Sequence, residues 1–291
     1  MSKVYTLDEL RQSLYTEKPH YLVVGHPISH SLSPVMHQAA LKHYGMEADY
    51  VALDLSPQFI GSFAAWCNKP SFLGCNITIP FKEMLLPIVD QMDTDSESVG
   101  VINTIAKTDG YLKGFNTDVY GFIKPLENRL EYIEEQRVIV FGTGGASKAV
   151  QTALIQSGVE EIIFVSRNPI QKQVKSSAVH TETVDYNQWQ SYAEESTAFI
   201  NTTPVGMLPD GDNVLINQAD GKLLSEKLCY DLIYNPAKTP FLLLAERNNA
   251  ISLNGLEMLI QQGSRSFEIW TGKPFPLEKI RTVLKDSFKP S

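Results

Sequence analysis

Cysteine is scarce in this chain. Its three residues, Cys67, Cys75 and Cys229, are too few for a disulfide framework and too scattered for a metal-ligand cluster. They read as small buried residues. Basic charge is also in short supply: 25 Lys and Arg stand against 33 Asp and Glu, a formal net charge of -8. That balance opposes a general nucleic-acid role, because binding a phosphate backbone needs a cationic surface. No run of about 20 apolar residues offers a membrane span. The first twenty residues carry Asp8, Glu9 and Glu17 instead of an apolar signal core. The expected compartment is therefore the cytoplasm, and the expected partners include neither nucleic acid nor membrane. Repeats and low-complexity tracts are lacking too.

What is present suits a soluble α/β protein. A length of 291 residues with 43% hydrophobic content allows a large core and about two domains. Tyr21–Gly25 reads as a buried strand, and Ser33-Pro34 opens a helix running to about Tyr44, with Ser33 placed to cap it. Strands are expected over 48–53, 74–79, 99–107 and 111–115, the last two joined by a turn at Thr108-Asp109-Gly110. A helix is expected over 57–68, and a helical turn at Pro80-Phe81-Lys82. The first 115 residues thus form an α/β unit by themselves.

A helix over 118–130 leads into a second unit. Arg137–Phe141 (RVIVF) is a continuous apolar run, as a fully buried strand requires. Further strands are expected over 161–166, 198–201 and 229–233, with a glycine turn followed by a helix over 142–157, and helices over 240–248, from 255 toward 270, and 275–285. Strands alternating with helices predict a parallel, doubly wound sheet.

The turn after the RVIVF strand is Gly142-Thr143-Gly144-Gly145-Ala146. Glycines there let the backbone approach a pyrophosphate, and the following helix offers free N–H groups and positive potential. Ser147 stands where the common fingerprint has its third glycine. An NAD site places a carboxylate about 20 positions on, to hold the ribose hydroxyls. Here the next strand ends in Ser166-Arg167-Asn168, with no carboxylate. A guanidinium fits a 2′-phosphate through paired, charge-assisted hydrogen bonds, so NADP is the expected cofactor. Lys172 and Lys175 add positive charge just beyond.

Four segments of the first unit concentrate small hydrogen-bonding groups at strand ends or loops. Ser31 and Ser33 lie two apart after the first strand. Asn76 and Thr78 alternate along a strand, so they share a face, and Lys82 follows at its mouth. Asn103-Thr104 and Asn116-Thr117-Asp118 complete the set. Polar groups inside a sheet need partners, and a ligand rich in hydroxyls supplies them. Ordinary caps and Asx turns explain any single segment equally well. His26, His30 and His37 fall within twelve residues, but over a loop and a helix in no recognised ligand spacing; they read as structural or solvent-facing.

Taken in order, these segments resemble the shikimate dehydrogenase family over nearly the whole chain. Asn201–Met207 (NTTPVGM), Tyr230–Pro236 (YDLIYNP) and Asn254–Leu259 (NGLEML) follow in the family's sequence as well. The resemblance implies a two-domain α/β fold, an N-terminal α/β substrate domain plus a Rossmann-like doubly wound NADP-binding domain. The substrate domain is expected over 1–118, completed by 253–291, and the NADP-binding domain over 119–252. It implies that Ser31 and Ser33 hold a carboxylate, that Asn76, Thr78, Asn103 and Asp118 bind ring hydroxyls, and that Lys82 and Asp118 form the catalytic pair. Gln262 and Tyr234 are implied to contact the substrate. Gly142, Thr143, Gly144, Gly145, Ala146, Ser166, Arg167, Asn168, Thr202 and Gly255 are implied on the cofactor side, and no metal is implied. The implied reaction is hydride exchange between NADP and the shikimate/3-dehydroshikimate pair, a small-molecule substrate, in a monomer or homodimer serving aromatic amino acid synthesis. Val119 replaces the glycine usual after the Asn-Thr-Asp triplet, and Ser166 and Asn168 replace the usual neighbours of the arginine. Those departures leave open a quinate or dual-substrate dehydrogenase, one using NAD, and a non-catalytic NADP-binding sensor on the same fold.

Overall fold

The computed structural model describes residues 3–169, 179–209 and 211–287. By packing, the chain divides into two units, Met1–Gly121 with Ile260–Ser291, and Phe122–Leu259.

The first unit runs β1 (Val4–Thr6), α1 (Leu7–Arg11), β2 (His20–Gly25), α2 (Ser33–His43), β3 (Asp49–Asp54), α3 (Ile60–Cys67), β4 (Phe72–Ile77), α4 (Phe81–Met84), β5 (Gln91–Met92), α5 (Thr94–Val99), β6 (Thr104–Thr108) and β7 (Tyr111–Phe115). Helix α6 (Thr117–Ile123) carries the chain out. Its seven strands form one mixed sheet in the order β1-β3-β2-β4-β6-β7-β5. Strands β1, β3, β2 and β4 are parallel, while β6 is antiparallel to both β4 and β7. The β6–β7 turn holds Asp109 at φ 51° and Gly110 at φ 84°, the left-handed pair that a tight hairpin needs. Strand β2 is buried along its whole length. Leu22 and Val24 pack with Leu53, Phe63, Trp66 and Phe72 in one core cluster, each such side chain contributing about 1.5–3 kcal/mol by burial.

Two expectations change here. The stretch from Val99 is not strand until Thr104: Asp93 caps α5 by accepting from the Ser96 N–H at 2.9 Å, and Gly100 ends the helix at φ 71°. Ser33 is not the cap of α2 but its first residue; Leu32 precedes it with no side-chain cap, and Ser31 Oγ accepts the Ser33 N–H at 3.3 Å.

The second unit runs β8 (Arg137–Phe141), α7 (Gly145–Gln156), β9 (Glu161–Val165), β10 (His180–Val184), α8 (Gln190–Ala193), β11 (Ser196–Asn201), β12 (Leu228–Asp231), α9 (Pro240–Arg247) and β13 (Ile251–Leu253). All pairings among these strands are parallel, in the order β10-β9-β8-β11-β12-β13. Numbered within this sheet the order is 3-2-1-4-5-6, the dinucleotide-binding arrangement, whose switch point lies between β8 and β11. Ile139, Phe141, Ile163, Val165, Trp189 and Phe199 pack in its core. Helix α10 (Leu256–Thr271) returns the chain to the first unit, where α11 (Leu277–Ser287) packs on α2. The return falls at Ile260, later than 253, because β13 still pairs with β12. Trp270 of α10 fastens to the first sheet: its ring stacks on Tyr21 at 4.8 Å and its Nε1 donates to Ile105 O at 3.0 Å.

Candidate active site

In the first unit, side chains from α4, from α6 and from the residue before β6 meet at one place. Asn116 caps α6: its Oδ1 accepts the N–H groups of Asp118 and Val119 at 3.1 and 3.4 Å. That fixes Asp118 in the first helical turn. Lys82 projects from α4, and its Nζ donates to Asp118 Oδ2 at 2.5 Å. The lysine side chain is only 16% exposed and the aspartate 9%, so this is a nearly enclosed ion pair. Asn103 Nδ2 holds the other aspartate oxygen, Oδ1, at 2.8 Å. The carboxylate is thus fixed from both sides, and the ammonium retains further N–H groups for an incoming oxygen. A pair so arranged delivers a proton to, or removes one from, an oxygen at the lysine.

Behind this pair lies a buried polar network. Asn103 Oδ1 accepts the Thr117 N–H at 2.7 Å, and its Nδ2 also reaches Thr117 Oγ1 at 2.9 Å and Gln262 Oε1 at 3.5 Å. Ser266 of α10, fully buried, is its hub. Its Oγ lies 2.8 Å from Thr104 Oγ1 and 3.1 Å from Thr117 Oγ1, and it accepts from Asn76 Nδ2 at 2.9 Å. Asn76 Nδ2 also donates to Thr104 Oγ1 at 3.0 Å, while its Oδ1 accepts from the Tyr50 hydroxyl at 2.7 Å. Burial pushes the Tyr50 hydroxyl well above its ordinary value, so it stays a donor.

The structure therefore brings Asn76, Asn103, Asp118, Lys82 and Gln262 into one connected group, while the buried Ser33 stands at the start of α2. Ser31 Oγ accepts the Ser33 N–H at 3.3 Å, so the two serines form a local pair. Thr78 follows β4, half-buried, with its N–H on Val24 O at 2.9 Å. Thr104 and Thr117 belong to the polar segments that the sequence shows, whereas Tyr50 and Ser266 join the network from ordinary strand and helix patterns. The histidines separate: His26 Nδ1 lies 2.5 Å from Asp54 Oδ1, whereas His37 is fully buried and stacked on Tyr50 at 4.4 Å.

In the second unit the glycine turn joins β8 to α7. Gly142 sits at φ 104°, and a Cβ there would meet Thr202 Oγ1 at 2.7 Å and Thr203 Cγ2 at 2.9 Å. Thr202, at the end of β11, donates its hydroxyl to Phe141 O at 2.7 Å, locking the two strand ends together. Ser147 Oγ donates to Gly142 O at 2.8 Å. The serine thus fastens the turn that a third glycine would merely allow. Thr143 and Gly144 are exposed, and Gly145 and Ala146 begin α7, whose first N–H groups are available to an anion. At the end of neighbouring β9, Ser166 Oγ accepts the Asn168 N–H at 3.2 Å and Arg167 is exposed. Lys172 and Lys175 lie outside the described residues. These groups fit a dinucleotide carrying an extra phosphate: a glycine cradle, a helix start, and a guanidinium in place of a carboxylate.

Past β12, a Cβ on Gly255 would meet Leu232 O at 1.9 Å; only glycine lets the two backbones approach. Tyr234 lies on this same loop after β12. A buried carboxylate missed in the sequence, Asp231, organises the edge. It accepts from Thr239 Oγ1 at 2.6 Å and from Ile233 N–H and Asn201 Nδ2 at 3.0 Å each. Burial pushes it up to about 6 against those hydrogen bonds. Asn201 in turn accepts from the N–H and hydroxyl of Thr203, so Asp231 shapes the loop after β11. Among the described residues no group of three metal-ligating side chains is assembled, and no helix is long and apolar enough to cross a membrane.

A family model described as "Shikimate dehydrogenase substrate binding domain" matches residues 23–105, and one described as "Shikimate 5'-dehydrogenase C-terminal domain" matches 255–285. The chain is 35% identical over 268 residues to "Shikimate dehydrogenase (NADP(+))" of Caldanaerobacter subterraneus subsp. tengcongensis, covering 89% of this chain and 95% of that protein. It is 36% identical over 276 residues to the protein of the same name from Microcystis aeruginosa, covering 91% and 96%. Among solved structures, shikimate 5-dehydrogenase from Thermus thermophilus, in complex with NADP(H) and shikimate, superposes with a TM-score of 0.81. The sequence identity to it is 30%, with 93% of this chain and 100% of that one covered.

Proposed function

The chain belongs to the shikimate dehydrogenase family, and from that premise we propose that it is an NADP-dependent shikimate dehydrogenase in which Lys82 and Asp118 handle the proton. The observation that carries the reading is the enclosed Lys82–Asp118 pair, its second carboxylate oxygen held by Asn103. The first unit is the substrate domain and the second the NADP-binding domain.

Ser31 and Ser33 hold the substrate carboxylate with neutral hydroxyls. Thr78 and Gln262 bind ring hydroxyls. Asn76 has both its N–H groups committed to Thr104 and Ser266, so it offers a remaining lone pair of Oδ1 to a substrate hydroxyl. Asn103 is committed to Thr117 and Asp118, so its main task is to aim the carboxylate. Tyr234 adds a further substrate contact.

Reduced nicotinamide, when bound, supplies the hydride for the ring ketone. As negative charge builds on the ketone oxygen, Lys82 stabilises it and donates a proton. Asp118 keeps the ammonium on line. In the reverse direction Lys82 takes the hydroxyl proton, and Asp118 balances the charge. Gly142–Ala146 cradle the pyrophosphate, with Thr202 and Gly255 shaping the adjoining edge. Arg167, with Ser166 and Asn168, holds the 2′-phosphate. We place the enzyme in the cytoplasm, as a monomer or homodimer, with the small acid as its partner.

The test crosses NADP and NAD against shikimate and quinate and follows the reduced-nicotinamide absorbance. Dominant turnover of shikimate with NADP is expected. Dominant quinate or NAD turnover overturns the specificity, and NADP binding without any turnover overturns the enzymatic reading.

A further inference from the structure

We infer that Asp231 is a positioning residue for the nicotinamide half of the cofactor, fixing the loops that follow β11 and β12. The inference rests on the reading that the second unit binds NADP. In a doubly wound sheet a dinucleotide lies across the crevice at the switch point, one mononucleotide on each side. Arg167 follows β9, on one side of that point, and takes the 2′-phosphate half; β11 and β12 lie on the other side and are left for the nicotinamide half. Asp231 ends β12 in register with Asn201 at the end of β11, and both are fully buried.

The carboxylate sets the orientation of its neighbour. It offers only lone pairs, so Asn201 turns its Nδ2 toward Asp231 Oδ1, at 3.0 Å, and its own Oδ1 the other way. That Oδ1 then accepts the N–H and the hydroxyl of Thr203, at 2.9 and 2.7 Å. Thr203 Oγ1 accepts the Val205 N–H at 3.2 Å, and Asn201 Nδ2 also donates to Val205 O at 3.3 Å. The loop after β11 is therefore wound round one carboxamide, whose direction Asp231 dictates. It bears on the glycine turn, since a Cβ on Gly142 would meet Thr203 Cγ2 at 2.9 Å. On the other side, Asp231 Oδ1 accepts the Ile233 N–H at 3.0 Å, and Ile233 O accepts the Gly255 N–H at 3.0 Å. Asp231 Oδ2 accepts from Thr239 Oγ1 at 2.6 Å, and Thr239 caps α9. Gly206, at φ 95°, comes back against that same threonine: a Cβ there would meet Thr239 Cβ at 3.3 Å. One buried carboxylate thus joins two loops and a helix start, none of them on the Arg167 side of the sheet.

The experiment compares full-length Asp231→Ala, Asp231→Asn and Thr203→Val with the wild type. It measures dissociation constants for NADP and for 2′,5′-ADP, which carries the 2′-phosphate but no nicotinamide, together with kcat and the shikimate KM. Asp231→Ala is expected to weaken NADP about tenfold and to lower kcat by at least about tenfold, because a mis-aimed nicotinamide loses its reactive geometry. Binding of 2′,5′-ADP should stay within about twofold and the shikimate KM within about threefold. Asp231→Asn keeps one oxygen for the Ile233 N–H and Asn201 Nδ2, and is expected to restore NADP affinity and kcat to within about threefold of the wild type. Thr203→Val replaces the hydroxyl on Asn201 Oδ1 with a methyl and should show the same split at about threefold to tenfold; it decides the question if Asp231→Ala does not fold. Equal weakening of NADP and 2′,5′-ADP marks Asp231 as a support of the whole unit and overturns the inference. So does unchanged NADP affinity and kcat, or an Asp231→Asn variant as impaired as Asp231→Ala. If the wild type binds both NADP and 2′,5′-ADP, the cofactor reading stands through any of these failures; if it binds neither, that reading falls and the inference goes with it.

Discussion

His37 makes the first unit sensitive to acid, and the size of the effect follows from its surroundings. The ring is enclosed by Tyr50, Trp270, Phe267 and Phe275, and neither nitrogen has a hydrogen-bond partner among the described residues. Burial lowers its pKa from 6.5 to about 3. A folded value depressed below the unfolded one means that the unfolded chain binds the proton first. The stability tied to neutral His37 is complete above pH 6.5 and is lost as pH falls toward 3. Each pH unit in that window removes about 1.4 kcal/mol. Between about pH 7.5 and about pH 4.5 the loss is about 2.5 kcal/mol. The perturbation is His37→Leu, an apolar side chain of similar volume that does not titrate. Its packing penalty is the same at every pH and cancels when slopes are compared. His20, also lowered by burial, is present in both proteins and cancels too. Because the chain has two units, one global unfolding energy is not the right observable. Hydrogen exchange of peptides from β2, β3 and β4, read by mass spectrometry across the pH range, isolates the first unit. The wild-type opening energy is expected to fall relative to the variant by about 2.5 kcal/mol. Parallel behaviour of the two proteins down to about pH 4.5 would refute the reasoning.

Two further outcomes probe the cofactor side. Arg167→Ala should lower the ratio of NADP to NAD efficiency by about tenfold to a hundredfold, mainly through the NADP KM, since a charge-assisted contact to phosphate contributes about 1.5–3 kcal/mol; an unchanged ratio in the steady-state assay contradicts the role. Gly142→Ala forces a Cβ onto Thr202 Oγ1 at a φ of 104°, and fluorescence titration should show NADP binding weakened by at least about tenfold, with normal affinity counting against the cradle.

Much of this architecture was readable in the residues, for identifiable reasons. RVIVF announced β8 because a strand buried on both faces has no polar positions. The glycine turn and the missing carboxylate after β9 are local features, as are Lys82 and Asp118. What escaped was either too polar or too distant. Strand β10 (HTETV) is a sheet edge, where half-exposed threonines and glutamate erase the apolar signal. The two-stage segment over 94–108 needed the Asp93 cap and the Gly100 stop to separate helix from strand. Ser266 reaches Asn76 across 190 residues of sequence, and no spacing rule connects them. Asp231 stood at a strand end, where the parallel register β11–β12 brings Asn201 to it and the start of α9 brings Thr239.

The most direct test of the account is turnover of shikimate with NADP by the Lys82→Ala variant beside the wild type. Removing the general acid–base group should cost about a hundredfold to ten-thousandfold in kcat, while the shikimate KM stays within about threefold. Turnover within about tenfold of the wild type would contradict the assignment of proton transfer to the Lys82–Asp118 pair.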